Sequence, residues 1–346
     1  MKYILSFCLI FCLACKNQRE DFVKSEKIPS KIDSLKTEQE VQNFVRNLQY
    51  PSVRVRDFND SIFSYKALEK FELKKIQDFN RGRKKDRDSL IKILADSIKI
   101  NRSFYKADLD NNGYTDLIII GDDKSCSGSG GSCDYSVYSL MNFANDSINP
   151  VDLVLDNSFN SAIIPKITIK NSVPILEIFG SNNLNSNTNS LQLSYKYGTF
   201  VEKNNEPKEY SIEKIEYSAE ACFGSCPIFE LSIDKNRKAK LNAIEYNSSN
   251  PDLFEYEITE ELKGKFQAII DLENYQEIIG LLNYLDFPTL EDDYMVNATD
   301  NPSCKLTITY NQGQVKEIRD YGKVGTLGLQ EIYKRISRLK TNQSWE

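Results

Sequence analysis

Histidine is absent from all 346 residues. Its absence excludes Ser-His-Asp and Cys-His catalysis, histidine-ligated zinc and any imidazole pH switch. A basic excess is also missing: 44 Lys and Arg stand against 50 Asp and Glu, for a net charge of −6. A nucleic-acid footprint needs a basic face, so no nucleic-acid partner is expected. Long apolar runs are scarce too. The one clear run, Tyr3 to Leu13, has eleven residues. As a helix it would cover about 16 Å, roughly half of a bilayer core, which suits the apolar region of a signal peptide and not a membrane span. What the chain does have is an apolar fraction of 40% with 19 Tyr and 18 Phe. That is enough to build a core, and the length allows two or three domains.

The apolar run follows Lys2 and ends in Cys12-Leu13-Ala14-Cys15. Ala14 and Cys15 resemble the lipobox of bacterial lipoproteins. The resemblance implies a signal peptide over residues 1–14 and cleavage before Cys15. It also implies a diacylglycerol thioether on the Cys15 sulfur and an acyl chain, such as palmitate, on its amine. Each buried CH₂ contributes about 0.8 kcal/mol, so three chains anchor a protein stably to a membrane where one does not. Lys16 follows the cysteine; by resemblance to lipoprotein sorting, the lack of Asp there fits the outer membrane.

Residues 15–36 are polar and charged and read as a lipid-anchored tether. Thr37, with Glu40 three residues on, has the spacing of a capping box for a helix through Val41, Phe44, Val45 and Leu48. Apolar positions between Ser61 and Phe79 predict a partly helical stretch. Arg81 to Asp88 reads as a solvated charged loop, with Ser89 capping the helix that follows. From Asn101 the period changes to that of strands, eight of them before Glu202, in an antiparallel meander. The sequence NNEPKE at 204–209 reads as a boundary. Beyond it come further strands, a helix after Asp271, a hairpin at Asn311-Gln312-Gly313 and a last helix from about Leu327 to Leu339. The expected fold class is α+β, in two modules of antiparallel sheets with packed helices, over residues 37–205 and 209–341.

Residues 108–116 read Asp-Leu-Asp-Asn-Asn-Gly-Tyr-Thr-Asp. Asp108, Asp110, Asn112 and Asp116 occupy positions 1, 3, 5 and 9 of a calcium loop, with Gly113 at position 6 and the Tyr114 carbonyl at position 7. Position 12 is Ile119, not Glu, and a strand follows where an EF-hand has a helix. The segment resembles the Asp-rich turns that precede strands in FG-GAP and related extracellular repeats. That resemblance implies a structural calcium on Asp108, Asp110, Asn112, Tyr114 and Asp116. The plain alternative is a turn held by Asx hydrogen bonds without metal.

Of eight cysteines, Cys8, Cys12 and Cys15 lie in or at the end of the leader, which leaves Cys126, Cys133, Cys222, Cys226 and Cys304. Export permits disulfides. Cys126 and Cys133 flank a Gly/Ser-rich loop that a bridge would pin. Cys222 and Cys226 have three intervening residues, one more than a thioredoxin-type motif, and a strand follows. A structural disulfide is expected there, either Cys222–Cys226 or from one of them to Cys304. The string Cys222-Phe223-Gly224-Ser225-Cys226-Pro227, with Asp300, Pro302 and Asp320-Tyr321-Gly322 further on, resembles uncharacterised-domain family 6438 of bacterial envelope proteins over about residues 209–341. That resemblance implies no catalytic residue. The function expected is that of a lipid-anchored envelope protein working in binding or envelope assembly, with an envelope protein or a glycan as partner. The alternative is a carboxylate-dependent glycan hydrolase, since glycosidases need only two placed carboxylates. Glu291, Asp292 and Asp293, beside Tyr294, are the acidic cluster available for it.

Overall fold

A computed structural model of the chain describes residues 25–48, 54–56, 62–64, 68–80, 85–123, 135–153, 163–171, 173–180, 190–248 and 261–346. Cys15 and the loop carrying Cys126 and Cys133 lie outside them. The N-terminal part begins with two helices, α1 (Lys31–Ser34) and α2 (Glu38–Arg46). The capping box is present: Thr37 Oγ1 accepts from the Glu40 amide at 3.2 Å, and Glu40 Oε2 accepts from the Thr37 amide at 2.9 Å. Strands β1 (Arg54–Arg56) and β2 (Ile62–Ser64) form a hairpin of their own. Then follow β3 (Phe71–Leu73), helix α3 (Lys85–Ser97), β4 (Phe104–Ala107), β5 (Asp116–Asp123), β6 (Ser136–Phe143) and β7 (Ser147–Asp152). These strands make a sheet of order β3-β5-β6-β7, with β4 beside β3 on the same edge of β5. A second sheet is the antiparallel meander β8 (Ile163–Lys170), β9 (Val173–Gly180), β10 (Ser190–Lys196) and β11 (Thr199–Glu202).

The run Leu117-Ile118-Ile119-Ile120 is buried along its whole length because β5 is covered on both faces. Leu117 and Ile119 meet Ile32, Val41, Val45 and Phe71. Ile118 and Ile120 meet Ala95 of α3 and Leu176, Leu193 and Phe200 of the second sheet.

The C-terminal part comprises β12 (Ile212–Ala219), β13 (Ile228–Asp234), β14 (Lys238–Glu245), β15 (Gly264–Ile269), α4 (Leu272–Tyr284), β16 (Asp293–Met295), β17 (Ser303–Tyr310), β18 (Gln314–Tyr321) and α5 (Leu327–Asn342). Its seven-stranded sheet has the order β15-β14-β13-β12-β17-β18-β16, with only β16–β18 parallel. Alternate residues such as Ile215, Tyr217, Leu231, Leu241, Leu306 and Ile318 face Ile278, Leu282, Ile332 and Ile336 of α4 and α5. The opposite face carries mostly polar side chains, with Ile269 and Val315 exposed on it. The two parts touch: Glu202 of β11 accepts from the Leu327 and Gly328 amides at the start of α5, and Val201 enters the C-terminal core. The fold as described is sheet-rich and mostly antiparallel, with few helices.

Three local expectations are corrected. Among its described residues, the stretch expected as partly helical holds β2 and β3, and a single 3₁₀ turn at Ile76–Asp78. Pairing of Phe71 with Asp123 on the edge of β5 overrides the helical spacing, and Gly121 makes room, since a Cβ there would meet the Glu72 carbonyl at 2.3 Å. Ser89 is not a cap but lies inside α3, which begins at Lys85. The end of the charge run is therefore helical, as Lys, Arg and first-turn Asp residues permit. Residues 25–36 are not a free tether: α1 buries Ile32 to 1% exposure. Among the described residues no helix is long and apolar enough to cross a membrane.

Candidate functional site

The loop 108–115 joins two neighbouring antiparallel strands, β4 and β5. Its tight curl uses Asn111 at φ 61° and Gly113 at φ 92°. Asx hydrogen bonds organise it. Asp108 Oδ1 accepts from the Asn112 amide and Oδ2 from the Gly113 amide, both at 3.0 Å. Asp110 Oδ1 accepts from the Asn112 amide at 3.1 Å. Asp116 opens β5 and is fully buried; it accepts from the Leu109 amide at 2.6 Å and the Asn142 amide at 2.8 Å.

These bonds bring together three carboxylates. One oxygen each from Asp108, Asp110 and Asp116 lies within 4.8 Å of the others. A cation with 2.3–2.6 Å oxygen contacts can touch all three. Burial pushes the Asp116 carboxyl up to about 8, with the Asp110 and Asp108 charges adding to it. Burial likewise pushes Asp110 up to about 6, with Asp108 beside it. Among the described residues none of the three forms an ion pair with Lys or Arg. The donor set is all oxygen, which fits a hard cation and not a soft one.

One expected ligand is already engaged within the loop. The Asn112 side-chain oxygen accepts from the Tyr114 amide at 2.7 Å, and its Nδ2 donates to Asp110 and to the Asn142 carbonyl. Asn112 thus ties the loop together rather than joining the carboxylate group. Tyr114 takes part through its amide. Two residues that loop spacing could not show also serve the site. Asn142 on β6 holds Asp116 through its amide, and its buried Oδ1 has no hydrogen-bond partner among the described residues. Ser25 donates its hydroxyl to Asp108 Oδ2 at 3.0 Å and its amide to Asn111 Oδ1 at 3.2 Å. The chain then crosses the loop, with the Ile28 amide donating to the Gly113 carbonyl at 2.8 Å. A Cβ on Gly113 would lie 2.6 Å from the Glu26 carbonyl oxygen, so glycine is needed for space as well as for φ.

In the C-terminal part Cys222 and Cys226 are disulfide-bonded, with Cα atoms 5.7 Å apart. Cys304 is a free, buried thiol, which removes the long-range pairing. Burial pushes that thiol up to about 11. The three strings noted in the sequence meet at one end of the seven-stranded sheet. The Phe223 amide reaches the Asp300 carbonyl at 3.4 Å and the Gly322 amide the Pro302 carbonyl at 2.7 Å. The Asn301 amide donates to Tyr321 Oη at 3.2 Å. Asp320, buried, accepts from the Val324 and Gly325 amides at 2.8 and 2.9 Å and so shapes the turn into α5. Glu291, Asp292 and Asp293 are exposed. Lys316 pairs with Asp292, and the Tyr294 ring packs against the core.

The family model described as a domain of unknown function, DUF6438, matches residues 213–340, from within β12 to within α5. The Cys222–Cys226 loop, Asp300 and Asp320 all fall inside that stretch. No curated protein matches the chain.

Proposed function

We propose that this chain is a lipid-anchored protein of the cell envelope, attached through Cys15 to the outer membrane, that works by binding an envelope protein or glycan. It has an α+β architecture in two modules, 37–205 and 209–341. The Asp108, Asp110 and Asp116 carboxylates hold a structural calcium ion, with the Tyr114 carbonyl as a further donor and Asn112 as the brace of the loop. The observation that supports this most is the three-carboxylate cluster, with no cationic partner among the described residues, packed under Ser25, the first described residue after the anchor. An ion there would stiffen the point where the chain leaves for the lipid. Disulfide bonding at Cys222–Cys226 fits an exported chain.

Two measurements test the reading separately. Mass spectrometry of the membrane fraction should recover an amino-terminal peptide that begins at an acylated Cys15; an uncut Met1 terminus in the cytosol overturns the anchor. Calorimetry should show heat on adding calcium, with affinity in the 10⁻⁴–10⁻³ M range of extracellular modules. At 10 mM ion that affinity adds about 1.4–2.7 kcal/mol of stability, or a melting temperature higher by about 3–8 °C. Replacing Asp108 and Asp110 by Asn should abolish both effects, and an unmoved wild-type melt would remove the ion from the proposal.

A further inference from the structure

The seven-stranded sheet ends in β16, three residues long, on one side and in β15, six residues long, on the other. Along β15 the backbone groups of Gly264, Phe266 and Ala268 face β14, and those of Lys265, Gln267 and Ile269 face away from it. Among the described residues only Gln267 has a partner on that outer side. Its amide donates to the Glu346 main-chain oxygen, and its carbonyl accepts from the Glu346 amide, both at 2.9 Å. That reciprocal pair is one rung of an antiparallel ladder. The outward groups of Lys265 and Ile269, on either side of it, make no hydrogen bond among the described residues.

The segment that makes this rung has the side-chain alternation of a strand. Trp345 packs against the core between sheet and helices, its Nε1 donating to the Leu339 carbonyl at 2.9 Å. Glu346 lies on the opposite face with Gln267, its partner in the rung. That face of the edge carries Lys265 and Ile269 on β15, with Lys240 and Lys238 behind them on β14. Ile269, 62% exposed, is left uncovered by a single rung. The other acids of the face lie further in: Glu230 on β13, Glu216 on β12 and Glu317 on β18. At about 4.8 Å per strand, an acid in the place of Glu346 is one strand from Lys265 and two from Lys240, but about 14 Å from Glu230, beyond a Debye length of about 8 Å.

We propose that the outer edge of β15 is a strand-addition site for an extended segment of a partner protein, and that Trp345-Glu346 is its built-in stand-in. The partner segment places acidic side chains on the lysine face and an aromatic one on the helix side, as the stand-in does. Main-chain bonds to Lys265, Gln267 and Ile269 supply the affinity, and alternate side chains supply the selectivity. A second copy of this chain is a poorer occupant. Pairing two β15 strands about Gln267 gathers Lys238, Lys240 and Lys265 of both chains around one axis and displaces the acid that faces them. The proposal rests on the binding reading above and names its partner as a protein strand. Its assay reads one sheet edge, so its failure is distinct from a failure of the anchor or the ion, which have their own measurements.

The probe is a labelled peptide, Ser-Glu-Trp-Glu-Val-Glu-Ser, blocked at both ends and titrated with the full chain. Glu346→Pro removes the amide that holds the stand-in to the Gln267 carbonyl. That chain should bind the peptide about tenfold tighter than wild type does. Gln267→Pro should lose binding and melt near wild type, since the amide it removes faces away from β14. On both the wild-type and the Glu346→Pro chain, a peptide N-methylated at its three glutamates should not bind, and one with Lys in place of Glu should bind several-fold more weakly. Failure of the Glu346→Pro chain to bind, or an affinity equal to that of wild type, overturns the proposal. So does equal binding of the N-methylated or the Lys peptide. Dimerisation of the Glu346→Pro chain that the peptide does not reverse overturns it in favour of a second copy.

Discussion

Asp116 shows what a single residue contributes here. Its two oxygens each take a backbone amide, which suits a carboxylate, yet its burial beside Asp108 and Asp110 raises its proton affinity. A carboxyl whose folded pKa lies near 8, against about 3.9 in an unfolded chain, binds more protons when folded. The stability this contributes is fully present below pH 4 and is lost as pH rises through 8. In chelator the unfolding free energy, read from denaturant titrations, should therefore fall between pH 5 and pH 8.5, by an amount on the order of a few kcal/mol. Saturating calcium should reverse that slope, because the ion competes with protons for the same oxygens. Asp116→Asn turns an amide N–H toward the Leu109 or Asn142 amide, so it lowers stability at every pH while flattening the slope. A wild-type midpoint that is level across this range in chelator would contradict the assignment. The carboxylates of this site were legible from spacing alone, since positions 1, 3 and 9 of the loop fall together once the chain curls at Gly113. Asn142 was not, because it comes from another strand, 26 residues beyond Asp116. The use of the Asn112 oxygen within the loop was also hidden, for spacing does not say which of two acceptors an amide will choose.

Elements were legible to differing degrees for a physical reason. Strands that pair with their sequence neighbours, as in the β8–β11 meander and the β17–β18 hairpin, announce themselves through alternation and through turn residues such as Asn311, Gln312 and Gly313, all at positive φ. Strands β3 and β16 did not. Each has three residues and exists because a distant edge accepts it, β5 in one case and β18 in the other. The acids read as a loop cluster include Asp293, which β16 places opposite Arg319. The end of the sheet where β16 and β18 finish depends on two local devices. Gly322 sits at φ 96°, and a Cβ there would lie 2.5 Å from Val296 Cγ1. Gly322→Ala should cost about 1–3 kcal/mol, read from the shift of a denaturant midpoint. A change under ~0.5 kcal/mol would mean that the two loops are not held together. The Cys222–Cys226 bridge closes a short loop, so replacing both residues by Ser should cost about 2 kcal/mol by loop entropy. Native-state alkylation should leave Cys304 unmodified in both proteins, because it lies beneath α5 and not in the loop.

At the scale of the whole molecule the N-terminal segment joins features that the sequence presents separately. The boundary read at 204–209 marks a change of sheet, but the contacts run across it. Glu202 caps α5 and Arg335 of α5 donates to the Tyr197 carbonyl, so the end of one sheet is fastened to a helix of the other. Composition shows a linker and cannot show a clasp. The same holds at the other end. A polar stretch reads as a tether, whereas Ser25 to Ile28 is laid across the Asp-rich loop and hydrogen-bonded to it. Nine residues lie between Cys15 and Ser25, and the ten chain steps joining them reach at most about 36 Å. A lipid on Cys15 would thus keep the carboxylate cluster within that distance of the membrane surface. If calcium stiffens the loop, it must also stiffen the segment lying on it, since the Gly113 carbonyl accepts from the Ile28 amide. Hydrogen exchange at Ile28 should then slow when calcium is added, by up to the same free energy that the ion contributes to stability, about 1.4–2.7 kcal/mol at 10 mM. The Asp108→Asn/Asp110→Asn chain should show no such slowing. Exchange at Ile28 that ignores calcium while the wild-type melting temperature rises would mean that the ion binds and the exit segment moves independently of it.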